Sequence, residues 1–517
     1  MVFCIAFLIL ALLVGHFREL GNFGVETDFY GAYAEQAENT VAGRPYTYQH
    51  NPPGYVILLA AVSFLTGDLF VAGKIITAVA AALFGWIIYS LFKALFDNRI
   101  ALASTILSLL ALFPYSFLVA TDILGALLMM LPLWIILRQP VLTLKTCFLG
   151  GILAGIAYLV RYNAVFVIIG IGISFLFINL NQETVQKRIA MVGLFVCGTL
   201  LITFPWLIVN WQTNGSPFAS TAYLQIAAHF YHPAGDVFVM KDAFDFNSLL
   251  DVILYDPLTF LRKYLSSILN QNIYRLTTTG LRFPAYLFAG AGFLFLFSDL
   301  SRRKLTFLLV CFFGYLSLGL VGFYLRYYFF LFPLLFLLVT YFLFHPQIFM
   351  KLGYLPYLRT PISWLVIAIL SLFLARNAYL RTRSTLAAEP RHVFQIADFL
   401  RARSLPNDII IALKGHYAYY AGLEKSFPVE QSPHDCTETA EDYIANALKI
   451  GARYIVYSDY EASCWSGLKC LSNPDATPNS LRLIYRHEPS KTLIYEVHSS
   501  GDITSVHPEM AGFRSRR

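Results

Sequence analysis

The sequence predicts an α-helical polytopic membrane protein of about eleven spans with an α/β domain at its C-terminal end. Three observations predict it. Of the 517 residues, 57% are hydrophobic and 13% charged, where a soluble domain carries roughly 25% charged residues. The apolar residues gather in runs near the roughly 20-residue length of a membrane-crossing helix. The pattern changes near residue 381, where charges, polar turns and β-branched runs take over. The net charge of +7 raises nucleic acid as a partner. The basic residues lie mostly in short breaks between apolar runs, however, where they orient a membrane protein, so no nucleic acid is expected. The 45 Phe and 32 Tyr fit lipid-facing and interfacial positions better than base-stacking platforms.

Apolar runs place spans near 1–18, 70–92, 100–116, 122–137, 146–160, 163–180, 189–209, 283–298, 304–323, 325–344 and 361–379. The first has neither a basic leader nor a small-residue cleavage site, so it reads as an uncleaved span rather than a signal peptide. The apolar segment 54–66 is too short to span and reads as a helix lying on the outer surface or re-entering it. Lys93 with Arg99, Arg138 with Lys145, Lys187 with Arg188, Arg302-Arg303-Lys304, and Lys351 with Arg359 occupy alternate short loops. The positive-inside rule puts these loops in the cytoplasm. Segment 19–69, the loop bearing Asp122, the long loop 210–282 and everything after about 380 then lie outside. The expected organisation is a transmembrane module over 1–380, an extracytoplasmic α/β domain over 381–498 and a disordered polar tail over 499–517, in a multi-pass protein of a bacterial plasma membrane.

Within the tail, Arg391–Arg403 and Ala440–Ile450 read as helices, and Asp408–Leu413, Arg453–Tyr457, Leu481–Tyr485 and Lys491–Val497 as strands. Cys4, Cys147, Cys197 and Cys311 lie in spans as small apolar fillers. Cys436, Cys464 and Cys470 allow one disulfide if the tail is outside, most simply Cys464 to Cys470. No Walker loop, dinucleotide glycine motif or His-Glu-x-x-His occurs. Direct use of ATP, haem or flavin is not expected.

Chemistry is expected at the outer face. Asp28, in Glu26-Thr27-Asp28-Phe29-Tyr30, reads either as an N-cap for the following helix or as a general base at the membrane surface. Asp122 stands at the mouth of a span, where a carboxylate is costly unless it lines an aqueous cavity or finds partners. Arg161 and Lys74 lie near outer span ends, where snorkelling to the interface competes with contact to a lipid phosphate. Arg326, flanked by aromatics in Tyr324-Leu325-Arg326-Tyr327-Tyr328, is the stronger phosphate ligand, because a guanidinium forks onto two oxygens. His50, ahead of Pro52-Pro53, is a further phosphate candidate, and Glu26, Tyr33, Tyr55 and Tyr327 are candidates for the substrate site. His229, His232, Asp236, Asp242, Asp245 and Asp256 in the long loop match no metal-ligand spacing, so that loop reads as solvated with short helices.

Taken in order, these motifs resemble the GT-C membrane glycosyltransferases, in particular the group related to dolichyl-phosphate-mannose protein mannosyltransferases and the bacterial aminoarabinose transferases of lipid A. The resemblance is carried by Asp28 in the first outer loop, Tyr33-Ala34-Glu35-Gln36-Ala37, Gly43-Arg44-Pro45-Tyr46, Pro52-Pro53-Gly54-Tyr55 and Thr121-Asp122. It continues through Arg161-Tyr162-Asn163, Pro205-Trp206 and Arg326-Tyr327 ahead of Pro333. It implies that Asp28 is the catalytic carboxylate and Asp122 its active-site helper. The donor would be a polyprenyl-phosphate-linked sugar, the acceptor a lipid, glycan or protein, and the reaction a single inverting displacement. Some relatives use a divalent metal and others do not, and no metal ligand is assigned here. Two departures stand out. The family places a Tyr about four residues after the Asp, whereas Tyr33 comes one residue later. The aminoarabinose branch has a Lys where His50-Asn51 stands. The alternatives are a transporter or flippase of lipid-linked sugars, which usually shows half-repeats and mid-membrane charges, and a non-catalytic scaffold.

Overall fold

A computed structural model of the chain describes residues 2–48, 50–180, 183–231, 246–276, 285–321, 324–345, 356–405, 407–426, 440–459 and 466–498. The chain forms two compact units. One holds Met1–Asp236 and Phe246–Glu389, the other Val237–Asp245 and Pro390–Arg517.

The first unit is helical. It begins with α1 (Val2–His16), a π turn over Phe29–Tyr33, α2 (Ala34–Val41), α3 (Gly54–Thr66), α4 (Leu69–Leu95) and α5 (Asn98–Leu112). It continues with α6 (Asp122–Leu137), α7 (Leu144–Val160), α8 (Val165–Phe177), α9 (Val185–Asn214) and α10 (Ala222–Tyr231). Three short helices follow, α11 (Leu249–Tyr255), α12 (Pro257–Ser266) and α13 (Asn272–Arg275). Then come α14 (Ala285–Ser298), α15 (Arg302–Leu318), α16 (Phe332–Phe344) and α17 (Pro356–Ala387). Among the described residues, Leu69–Leu95, Asn98–Tyr115, Val185–Asn214 and the long helix within Thr360–Arg401 can each cross a membrane by length and composition, and seven shorter apolar helices accompany them. One of the seven is Gly54–Thr66, the short apolar segment.

Polar caps explain why the helices start where they do. The side chains of Asp68, Asp97, Thr143, Thr184 and Ser301 accept backbone N–H groups in the first turns of α4, α5, α7, α9 and α15, satisfying donors that a helix start leaves open. The basic loop residues do similar work on neighbouring carbonyls. Arg188 donates to Leu176 O (2.7 Å), Arg302 to Asn179 O and Arg303 to Pro140 O, while Arg99 reaches Thr360 Oγ1 (3.2 Å). The loops around residues 99, 140, 179–188, 302 and 360 therefore meet at one end of the bundle.

Packing is tight where glycines face backbone. α7 lies along α9; a Cβ at Gly151 would fall 2.0 Å from Phe195 O, and one at Gly198 would fall 2.3 Å from Phe148 O. Small residues let membrane helices approach this closely. α17 runs on to Ala387, several residues past the expected boundary at 380. The stretch Arg381-Thr382-Arg383-Ser384-Thr385-Leu386-Ala387 holds no helix breaker, and Pro390 is the first. In the long loop, α11 and α12 expose Leu250, Leu254, Leu258, Leu261 and Leu265, an apolar stripe where a solvated segment was expected.

The second unit carries a five-stranded sheet in the order β2-β1-β3-β5-β4, from β1 (Ile409–Ile411), β2 (Glu424–Ser426), β3 (Ala452–Tyr457), β4 (Leu481–His487) and β5 (Thr492–Val497). β1 runs parallel to β2 and β3, and β5 runs antiparallel to β3 and β4, with Ile455 opposite Tyr495. Helices α18 (His392–Arg401), α19 (His416–Ala421) and α20 (Ala440–Lys449) accompany it. Its core is Ile411, Tyr443, Ile455, Leu468, Leu471 and Tyr495. Cys436 and Cys464 lie outside the described residues, and so does the suggested Cys464–Cys470 pair.

Candidate active site

Asp28 occupies the position before the π turn Phe29–Tyr33, and its side chain makes no capping hydrogen bond. The carboxylate is 49% exposed and lies 3.9 Å from Arg326 Nη2. The N-cap reading of Asp28 is therefore not the observed one. The π turn also accounts for the late tyrosine. A π turn joins residues five apart, so Tyr33, five positions after Asp28, stays on the same side of the chain. Ala34 N–H closes the turn on Phe29 O.

Asp122 lies in the first turn of α6, and its carboxylate is 4% exposed. Arg161, in the break between α7 and α8, donates to Asp122 Oδ1 at 2.6 Å and to Thr121 Oγ1 at 3.0 Å. Arg326, in a 3-10 turn over Leu325–Tyr328 ahead of α16, stands 4.0 Å from Asp122 Oδ2 and donates to Val25 O at 3.2 Å. One guanidinium thus faces both acids. Tyr327 carries Arg161 and Arg326 near its ring, at 5.3 and 5.4 Å from the centroid, close enough for cation–π attraction.

These groups open on a cavity of about 860 Å³. His50 forms part of its wall and meets Thr221 Oγ1 at 3.3 Å. Burial lowers the pKa of His50, and nearby Asp28 only partly offsets this, so the imidazole is neutral at neutral pH. Asn51 Nδ2 donates to Tyr33 Oη at 2.9 Å. Burial, with the Asp28 charge added, raises the Tyr33 phenol well above its ordinary value, so it remains a hydroxyl. The lining also includes Ser216, Ser220, Thr221, Gln225, Asn247 and Ser248, all neutral hydrogen-bonding groups.

The structure brings together Asp28, Asp122, Arg161, Arg326, His50, Tyr33 and Tyr327 on this cavity. It places three other candidates elsewhere. Lys74 Nζ donates to Gly15 O (2.9 Å) and Arg18 O (2.7 Å), capping the end of α1 rather than waiting for a phosphate. Glu26 is fully buried in an ion pair with Arg18. Tyr55 is 1% exposed and packs edge-on against Tyr33, behind the cavity surface. The sequence reading missed Thr221 and Gln225. Nothing in the sequence around them separates them from other polar residues, because the fold alone brings α10 opposite the Arg326 turn, where Gln225 Nε2 reaches Tyr327 Oη at 3.4 Å.

Among the described residues no group of three or more His, Cys, Asp or Glu could share an ion. The two acids of the cavity already face guanidinium groups. His232, Asp236, Asp242 and Asp245 lie outside the described residues.

The chain is similar to known proteins over part of its sequence and, more widely, in fold. The family model for dolichyl-phosphate-mannose-protein mannosyltransferases matches residues 50–209, a span that includes Asp122 and Arg161. The oligosaccharyltransferase of Archaeoglobus fulgidus in its apo form is 16% identical with a TM-score of 0.61, over 97% of this chain and 75% of that one. Its complex with an inhibitory peptide and a dolichol-phosphate gives a TM-score of 0.59 at 15% identity, over 97% and 75%. ArnT from Cupriavidus metallidurans bound to undecaprenyl phosphate gives 0.56 at 14% identity, over 96% of this chain and 98% of that one. No curated protein matches the chain significantly by sequence.

Proposed function

We propose that this protein is an integral membrane glycosyltransferase that moves a sugar from a polyprenyl-phosphate donor to an extracytoplasmic hydroxyl on a lipid, glycan or protein. The observation that carries this reading is the division of labour between two carboxylates facing one arginine. Asp122 is buried, with Oδ1 bound by Arg161 at 2.6 Å. Asp28 is half-exposed on the cavity and meets Arg326 at a looser 3.9 Å. A general base needs a free lone pair within reach of the acceptor proton, and Asp28 meets that need better than Asp122.

The reaction is a single displacement with inversion. The acceptor oxygen attacks the anomeric carbon while the bond from that carbon to the phosphate oxygen breaks. The electron pair leaves with the lipid monophosphate, and Asp28 takes the acceptor proton. The charge on the departing phosphate grows, and Arg326 and Arg161, both lining the cavity, are the cations available to stabilise it. Asp122 holds Arg161 in position. The neutral hydroxyl and amide wall suits sugar hydroxyls.

The membrane topology belongs to the same proposal. Eleven spans starting inside place the second unit outside the cytoplasm. The meeting of the basic loops at one bundle end supports that orientation. The test is purified protein in lipid discs supplied with radiolabelled polyprenyl-phosphate hexose, paired with mass spectrometry of envelope lipids, glycans and proteins with and without the gene product. A sugar modification lost with the gene product, and released lipid phosphate in the disc assay, are expected. Unchanged envelope material together with no lipid-phosphate release overturns the reading.

A further inference from the structure

We propose that Glu26 and Arg18 form a positioning clamp that sets the two active-site carboxylates in register, without touching substrate. Glu26 is completely buried, and both its oxygens are used. Oε1 accepts from Arg18 Nη1 (2.7 Å) and from Val119 N–H (2.7 Å). Oε2 accepts from Arg18 Nη2 (2.5 Å) and from Asn22 N–H (2.9 Å). Arg18 is equally buried, and donates further to Phe117 O (3.0 Å) and Leu20 O (3.2 Å). Its guanidinium lies against the rings of Phe70 and Phe117, and Glu389 stands 3.9 Å from its Nε.

The clamp lies just upstream of each functional group. Asp28 follows Glu26 by two residues, and Asp122 follows Val119 by three. Val25, next to Glu26, gives its carbonyl to Arg326. One buried carboxylate therefore joins the loop that carries the base to the turn that carries the second acid. A buried charge pair is weak as a source of stability, and in some proteins it fixes a unique arrangement. Misplacing reacting groups by about 1 Å costs about 10²-fold in rate.

The clamp rests on the proposed transfer reaction, and its test separates the two. Glu26→Asp keeps the charge but shortens the arm, drawing Val119 and the loop out of register. Gly73→Ala acts from outside the pair, because a Cβ there would fall 2.4 Å from Val119 Cγ1. Turnover is measured per folded molecule, counted by polyprenyl-phosphate binding, alongside the KM for donor and the thermal midpoint. The expected result is a fall of about 10²-fold in kcat for Glu26→Asp and a smaller fall for Gly73→Ala, in both larger than any change in KM for donor. Wild-type kcat in either folded variant overturns the clamp. A loss explained wholly by fewer folded molecules overturns it as well. No transfer by the wild-type protein instead overturns the reaction itself.

Discussion

Charge is scarce in this chain, and Glu26, Lys74 and Asp122 each have a partner that explains their presence. Asp28 is the most open of the cavity charges. Asp28→Asn is expected to fold normally and to lose about 10²–10⁴-fold in transfer rate, since the amide keeps the shape but cannot take a proton; near-normal turnover removes Asp28 from the mechanism. Arg326→Ala is expected to weaken polyprenyl-phosphate binding by about 10–100-fold, the scale of a charge-assisted hydrogen bond. Lys74→Ala should leave that binding intact and lower the melting temperature instead, because it strips the donor from the Gly15 and Arg18 carbonyls. A binding isotherm with a melting curve for each variant distinguishes the two roles, and equal effects of both on binding contradict the assignment. These outcomes mark the limit of what the residues alone reveal. Asp28, Asp122, Arg161 and Arg326 were legible because a charge at an apolar border needs a reason. Lys74 and Glu26 satisfy the same criterion, yet their reason is a helix end and a buried arginine. Sequence cannot tell a charge kept for substrate from one kept for the backbone.

At the scale of the element, apolar runs located the helices well, because a 20-residue stretch without charge leaves the chain few other choices. Their ends were less legible. The span expected from 325 begins as helix only at Phe332, because Leu325–Tyr328 winds as a 3-10 turn that presents Arg326. The π turn after Asp28 was invisible in sequence, where it showed only as a tyrosine one residue late. In the second unit, β1 falls on the β-branched triplet Ile409-Ile410-Ile411, whereas the short β2 over Glu424–Ser426 has no such pattern and was not foreseen. The α7 and α9 pair offers a direct check on packing. Gly151→Ala should cost about 1–3 kcal/mol, the usual range for overpacking, seen as a lower melting temperature in detergent. Gly193→Ala, in α9 where a Cβ meets nothing within 4 Å, should hold or slightly raise the melting temperature, since Ala favours a helix more than Gly does. Equal behaviour of the two variants contradicts the close backbone approach.

For the whole molecule, the decisive quantity is which side of the membrane each end of the bundle faces. Single cysteines introduced into 390–498 should react with an impermeant thiol reagent from outside intact cells, and cysteines placed beside Arg138 or Arg302 should not. The reverse labelling pattern inverts the topology and moves the cavity to the cytoplasmic face. The sequence supports this orientation through its basic loops, but it gives no hint of how large a chamber the helices leave at the other end. That chamber has a kinetic consequence. A void of about 860 Å³ lies near the top of the range for small-molecule sites, so donor and acceptor can be held at once. Asp28 then has no need to carry the sugar as a covalent adduct. Initial rates measured against both substrates should give intersecting rather than parallel double-reciprocal lines, and donor alone should produce no burst of lipid phosphate. An order of addition, and not a relay through the enzyme, is the behaviour a chamber of this size favours.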